Sequence, residues 1–255
     1  MLHLVAFSGA KTDSTNDEAA PTIADLTVTR TAAGNKYLCP FDCQVVAAHV
    51  LNDTITRARL NYPSYRNLGL PEIFPLTALA EPSANFAICK YGLNGPRIRK
   101  GEEFGVDSSN GASTVDTVHA GVWLMDAFTP IPPGRRFTVR GTAAQTLVAS
   151  AWTSASIALD QTLPFGRYAV IGMRVTCNDG VLARLAFPGQ PMYRPGCHVG
   201  ETIAIDDYRQ SFRAGEFGML GVFEQTAPPQ LEILGGTAGA ETPAVILDLV
   251  DLNAA

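Results

Sequence analysis

Short segments from the first half of the chain recur, in the same order, in the second half. Leu26-Thr27-Val28-Thr29-Arg30-Thr31-Ala32-Ala33 is echoed by Phe137-Thr138-Val139-Arg140-Gly141-Thr142-Ala143-Ala144. Pro40-Phe41, Val45-Val46 and Asn52-Asp53 return as Pro164-Phe165, Val170-Ile171 and Asn178-Asp179. Ala58-Arg59-Leu60-Asn61-Tyr62-Pro63 returns as Ala183-Arg184-Leu185-Ala186-Phe187-Pro188, followed by Tyr65-Arg66 and Tyr193-Arg194 respectively. Gly101-Glu102-Glu103-Phe104-Gly105-Val106-Asp107 aligns without a gap on Gly200-Glu201-Thr202-Ile203-Ala204-Ile205-Asp206. Gly121-Val122-Trp123 matches Gly221-Val222-Phe223, and Pro132-Pro133 matches Pro228-Pro229. Any one match carries little, but a common order points to duplication. The period of about 110 residues is too long for a solenoid repeat and predicts two similar domains, 1–133 and 134–255. The halves then differ by insertions near 67–100 and 145–160.

The repeated segments read as strands. Phe137-Thr138-Val139 and Leu26–Thr29 are rich in β-branched and aromatic residues, which fit a pleated surface. Leu2–Phe7 and Ala244–Val250 read the same way, and the start of the chain lacks the basic region of a secretion signal. Tyr168–Val175 is an apolar run ended by Asn178-Asp179-Gly180, a hairpin signal because both central positions accept positive φ. Asn94-Gly95-Pro96 and Asn110-Gly111 punctuate the first half similarly. With 23 Gly and 17 Pro in 255 residues, turns outnumber long helices. The expected fold is all-β, two tandem antiparallel sandwiches with one or two short helices. Leu147, Val148, Ala151, Trp152, Ala155, Ile157, Ala158 and Leu159 recur near helical spacing and predict a helix over 147–159, with a Ser/Thr/Ala-rich strand pair as the alternative. A second short helix is expected around Leu76–Ala80, in an insertion punctuated by Pro71, Pro75 and Pro82.

Composition and motifs narrow the function. A net charge of −5 excludes a polybasic nucleic-acid binder, and the acidic stretch Asp13–Glu18 leaves no basic arm to hold a genome. An apolar content of 46% excludes disorder, and no apolar run reaches the length of a membrane helix. There is no G-x-S-x-G, phosphate-loop or H-E-x-x-H motif. Gly235-Gly236-Thr237-Ala238-Gly239 reads as a turn. The histidines His3, His49, His119 and His198 are scattered, without the His-x-His cluster of cupin-type enzymes. Cys39 and Cys43 could begin a metal site that Cys197-His198 would complete, but neither pair has the usual C-x-x-C spacing. All five cysteines, Cys89 and Cys177 included, are expected as buried free thiols in a reducing compartment. Glu102 with Glu201, and Asp107 with Asp206, occupy matching places where calcium binding or an acid–base pair competes with plain turn formation and strand-edge solubility. Arg97, Arg99 and Lys100 beside Glu102 and Glu103 read as a salt-bridging loop. No catalytic, cofactor-binding or metal residue is assigned.

A tandem pair of β-sandwiches, low in charge and lacking catalytic motifs, resembles the double jelly-roll major capsid proteins of tailless, membrane-containing bacterial viruses, corticoviruses among them. The resemblance is architectural and covers nearly the whole chain. It implies a non-enzymatic virion protein made in the host cytoplasm, assembling as homotrimers that meet neighbouring trimers and other virion proteins. It also implies a shell near an internal membrane, with no direct sequence-specific nucleic-acid binding. Two other classes compete. A carbohydrate-binding or adhesin-like module would need an exposed aromatic platform, whereas Trp123 lies in an apolar strand and Trp152 on the expected helix. A degenerate bicupin-type enzyme would need a bound metal.

With only 17% charged residues, a lone monomer has little charge to keep its surface soluble, so contact between copies is expected. The stretch Asn67–Lys100 is rich in apolar residues for a solvated loop, including Leu68, Leu70, Ile73, Phe74, Leu76 and Leu79. Deleting Leu70–Leu79 is therefore expected to weaken assembly more than folding, read by sedimentation alongside circular dichroism.

Overall fold

In a computed structural model of the chain, residues 1–12, 36–51, 55–65, 72–73, 89–110, 115–200 and 214–253 are described. The protein is all-β, and its helical content among these residues is two 3-10 turns, Pro63–Tyr65 and Gly92–Asn94. Two compact units result: Val5–Asp126, and Met1–Leu4 together with Ala127–Ala255.

The N-terminal unit contains β1 (Leu2–Thr12), β2 (Tyr37–Leu38), β3 (Cys43–Leu51), β4 (Ile55–Asn61), β5 (Glu72–Ile73), β6 (Cys89–Lys90), β7 (Arg97–Ile98), β8 (Glu103–Asn110) and β9 (Val115–Met125). The first residues of β1 belong to the other unit. One sheet runs β1-β9-β3-β6, with β7 also on β3; the other runs β2-β8-β4-β5. Strand alternation sends every second side chain of both sheets into a shared core. Val5 and Phe7, Val45 and Val50, Leu60, Phe104 and Val106, and Val118, Val122 and Leu124 fill it. Phe104 anchors it through ring contacts with Phe7 and Tyr37.

The second unit contains β10 (Arg135–Thr142), β11 (Gln145–Leu147), β12 (Trp152–Ser156), β13 (Ala158–Leu159), β14 (Arg167–Thr176), β15 (Gly180–Ala186), β16 (Gly196–Gly200), β17 (Gly221–Glu224), β18 (Gln230–Gly235), β19 (Gly239–Glu241) and β20 (Ala244–Asp251). One ladder set runs β10-β20-β14-β17 and a second runs β12-β18-β15-β16. That is the strand order of an eight-stranded jelly roll. The sets join where β14 and β16 pair in parallel at Val175 and Thr176. At the bulge between Val170 and Gly172, a Cβ on Gly172 would collide with the Asp248 carboxylate and the Ala214 backbone, so the close approach requires glycine.

Several expectations need correction. Residues 147–159 form strands rather than a helix, and β12 is an edge strand of the second ladder set, so 145–160 is part of the sandwich. The apolar period misled because Leu147 is buried from β11 and Ile157 from the one residue between β12 and β13. Asn178-Asp179-Gly180 makes no hairpin: β14 and β15 belong to different ladder sets. Asn110 likewise ends β8, which does not pair with β9, and Gly111 lies outside the described residues. In a jelly roll most successive strands change sheet, so a tight turn marks a crossover. The expected helix at Leu76–Ala80, most of the 67–100 stretch, and the segments 26–33 and 201–206 lie outside the described residues.

The repeated segments take these positions. Gly121-Val122-Trp123 lies on β9 opposite Ala47, Ala48 and His49 of β3. Gly221-Val222-Phe223 lies on β17 opposite Tyr168, Ala169 and Val170 of β14. Ala58-Arg59-Leu60 pairs with β8, and Ala183-Arg184 pairs with β16. Gly101–Asp107 leads into β8, whereas Gly200 closes β16.

Leu231 of β18 is fully buried between Ala155 of β12 and Leu185 of β15. Leu231→Ala is expected to lower stability by about 3 kcal/mol through lost burial and the cavity left behind. Val148→Ala, at an exposed site, should stay within about 0.5 kcal/mol. Urea unfolding monitored by circular dichroism checks both.

Candidate functional site

The largest buried charge lies on the second ladder set of the C-terminal unit. Arg184 stands in the apolar strand Val181-Leu182-Ala183-Arg184-Leu185 and is 0% exposed. Its cross-strand partner is Glu232 of β18, and its Nε donates to Glu232 Oε2 at 2.5 Å. The guanidinium carbon sits 3.9 Å from the centre of the Trp152 ring, offering cation–π contact in a desolvated setting. Arg194 Nε approaches the same Glu232 oxygen at 3.6 Å, while its NH1 donates to the carbonyls of Gln190, Pro191 and Tyr193. The Arg194 backbone N–H donates to His3 Nδ1 at 3.0 Å, and its carbonyl accepts from Leu4 N–H at 2.8 Å. Burial, reinforced by Arg184 and Arg194, pushes His3 down to about 3, so the imidazole is neutral. This cluster ties the start of β1 to β15 and β18. A buried ion pair sets geometry more surely than it adds net stability. The signal in the sequence is the lone charge inside an apolar strand, which the motif search passed over.

In the N-terminal unit, Ser8 Oγ lies 2.7 Å from His119 Nδ1, joining β1 to its neighbour β9. A hydroxyl beside a neutral imidazole is half of a nucleophile–base arrangement. Both side chains are buried, and burial lowers His119 to about 4, so the pair serves as a ladder between strands. His49 and His198 are buried as well. None of the four histidines belongs to a cluster of three or more His, Cys, Asp or Glu able to hold a metal among the described residues.

Cys39 and Cys43 come together, with sulfurs 3.2 Å apart, but Cys197-His198 belongs to the other unit. The four described thiols, Cys39, Cys43, Cys177 and Cys197, are free and buried. Burial pushes Cys197 up to about 12 and, with Glu241 nearby, Cys177 to about 11. Glu102 accepts from the backbone N–H groups of Ser64 and Arg99, which hold its carboxyl below the usual range against the opposing effect of partial burial. Asp107 accepts from Asn61. These contacts are those of turn and strand formation; Glu201 and Asp206 lie outside the described residues. Lys100 N–H donates to Asp42, tying the Arg97–Lys100 loop to the turn before β3. Gly235–Gly239 turns β18 into β19.

At the surface of the C-terminal unit, a cavity of about 310 Å³ is lined by Phe137 and Tyr168 with Arg135, Gln161, Thr162 and Asp251. Phe165, at the turn into β14, is 85% exposed, whereas its repeat counterpart Phe41 packs against its own core. Trp123 is buried and Trp152 lies under Arg184, so neither tryptophan offers a platform. No described helix is long and apolar enough to cross a membrane.

His3 and His119 are neutral when folded and each gains a proton on unfolding below about pH 6.5. The unfolded state then binds more protons, so stability falls as pH drops from about 6.5 toward 4, and these groups add no pH dependence above about 7.5. Each is expected to cost about 2 kcal/mol at pH 5. Urea midpoints taken at about pH 7.5, 6 and 5 should decline steeply, and His119→Gln should flatten the decline.

No protein-family model matches the chain, and no curated protein matches it. Among solved structures it is similar to the major capsid protein P2 from bacteriophage PM2, at 9% identity and a TM-score of 0.23 over 100% of both chains. It is similar to a β-porphyranase of glycoside hydrolase family 86 from Bacteroides plebeius at 10% identity and a TM-score of 0.22, covering 93% of this chain and 37% of that one. A xanthan lyase from Paenibacillus gives 12% identity and a TM-score of 0.22, over 98% of this chain and 25% of the other. At these scores the likeness extends to a β-rich architecture alone.

Proposed function

We propose that the chain is a non-enzymatic shell subunit, a virion capsid protein made in the host cytoplasm that assembles through homotrimers. The observation that carries this reading is the jelly-roll strand order of the C-terminal unit. Part of the repeat fits a duplicated version of it: Val45-Val46 and Ala58-Arg59 stand on the successive strands β3 and β4, as Val170-Ile171 and Ala183-Arg184 stand on β14 and β15, whereas Gly121–Trp123 and Gly221–Phe223 pair in different registers. In such a protein the working parts are surfaces. Phe165, 85% exposed at a turn, has the character of an interface anchor, because aromatic side chains dominate binding energy once desolvated. In the shell reading the acidic chain meets neighbouring trimers and other virion proteins near a membrane, without gripping nucleic acid.

One observation favours a second reading, a carbohydrate-binding module. The cavity sets the half-buried Phe137 ring beside the Arg135, Gln161 and Asp251 groups that recognise hydroxyls.

Sedimentation velocity and negative-stain microscopy at micromolar concentration are expected to show trimers or larger shells. Phe165→Ala should weaken self-association by at least about tenfold with an unchanged circular dichroism spectrum. A folded monomer at that concentration overturns the shell reading, and a monomer that binds immobilised glycans favours the second.

A further inference from the structure

We propose that Cys39 and Cys43 form a thiol–disulfide exchange site that reacts with small-molecule disulfides and closes into an intrachain bond. The two sulfurs lie 3.2 Å apart across the Pro40-Phe41-Asp42 corner, about 1 Å from bonding distance. Both backbones are already anchored. The Cys39 N–H donates to the Glu102 carbonyl and the Cys39 carbonyl accepts from Gly101, while Cys43 opposes Ile98 in the β3–β7 ladder. Closure therefore needs side-chain rotation rather than strand movement. The corner lies at the surface, with Pro40 and Phe41 half-buried and Asp42 exposed. Cys43 lines a surface depression of about 240 Å³ with Asp42, Gln44, Arg97, Met125 and Asp126, whereas Cys39 is 1% exposed, so a reagent reaches Cys39 only when the Pro40–Asp42 corner opens.

The two thiols differ in the way exchange requires. The hydrogen bond shared by the two sulfurs holds Cys39 below the ordinary thiol range and, with burial, raises Cys43, while Cys39 Sγ also reaches the Phe41 carbonyl at 3.1 Å. Cys39 is thus the attacking thiolate and Cys43 the resolving thiol. The Cys39 thiolate attacks one sulfur of a disulfide RSSR, forming a mixed disulfide and releasing RS⁻. Cys43 passes its proton to that thiolate, attacks the Cys39 sulfur and expels the second RS⁻. The protein dithiol is oxidised to a disulfide, and RSSR is reduced to one thiol and one thiolate, which takes its proton from water. Cys177 and Cys197 lack this arrangement: Cys177 faces Glu241, and both are held protonated by burial. The inference does not rest on the shell reading.

The full chain is treated with oxidised glutathione near pH 8, quenched in acid, alkylated and mapped by peptide mass. Alkylation is expected to disappear at Cys39 and Cys43 together, at least about tenfold faster than at Cys177 or Cys197, with recovery of a peptide linked through both. The oxidised protein should melt roughly 5 °C higher than the reduced one. In Cys43→Ser, glutathione should be trapped on Cys39. Full alkylation of both cysteines after treatment, or loss spread evenly over all the thiols, overturns the proposal. If Cys43→Ser fails to fold, the map of the unaltered protein decides alone.

Discussion

The C-terminal unit depends on β20. This last strand is hydrogen-bonded on both sides, so Leu247 opposes Val139 of β10 and Met173 of β14, and Leu249 opposes Phe137 and Val170. A strand that completes two ladders at once satisfies the backbone of three segments widely separated in the chain. Asp248 extends the join to side chains, accepting from Thr138 on one flank and Arg174 on the other. Ladder pairing of this kind joins residues about a hundred positions apart, so the sandwich closes only after most of the unit has been made. Such non-local topology folds slowly compared with local helical pairing.

Charged residues set opposite one another across the ladders follow the same logic. In both units an arginine follows alanine on the strand that leaves the crossover, and an acidic residue stands opposite: Asp107 across from Arg59, and Glu232 across from Arg184. Guanidinium suits this role because its planar fork donates to a carboxylate while its face stacks on an aromatic ring, as Arg184 does on Trp152. An apolar pair would pack in many registers. A charge pair buried among leucines tolerates one, because a slip of one residue would leave both ions unpaired.

Much of this was legible in the sequence, and the failures share a cause. The strands at Leu2–Phe7, Tyr168–Val175 and Ala244–Val250 could be read because β-branched runs bounded by turns report local structure. The crossovers could not, since Asn178-Asp179-Gly180 looks the same whether the next strand pairs with the last or joins another ladder. Residues 147–159 misled for a related reason. Short edge strands separated by breaks of four residues and then one mimic a helical period when the buried apolar residues fall on either side of the breaks. The Arg184 cluster and the Cys39–Cys43 contact were hidden because each depends on tertiary neighbours: Glu232 and Trp152 lie far off in sequence, and C-x-x-x-C fits no metal knuckle.

Where the C-terminal unit can meet another molecule is constrained by its sheet edges. Exposed strand edges invite pairing with a second chain, and proteins blunt them with short, polar or charged strands. At one edge β17 has only four residues and carries an exposed ion pair between Glu224 and Arg167. At another, β12 places Ser154 and Ser156 outward, and β13 is two residues long. These edges are poor templates for adding strands. Among the described residues of the unit, the large exposed apolar side chains, Phe128, Val148, Phe165 and Met192, lie outside the strands, in turns and loops. Association through such side chains leaves both ladder sets intact, so a jelly roll with guarded edges can be a rigid block whose specificity is written on its loops.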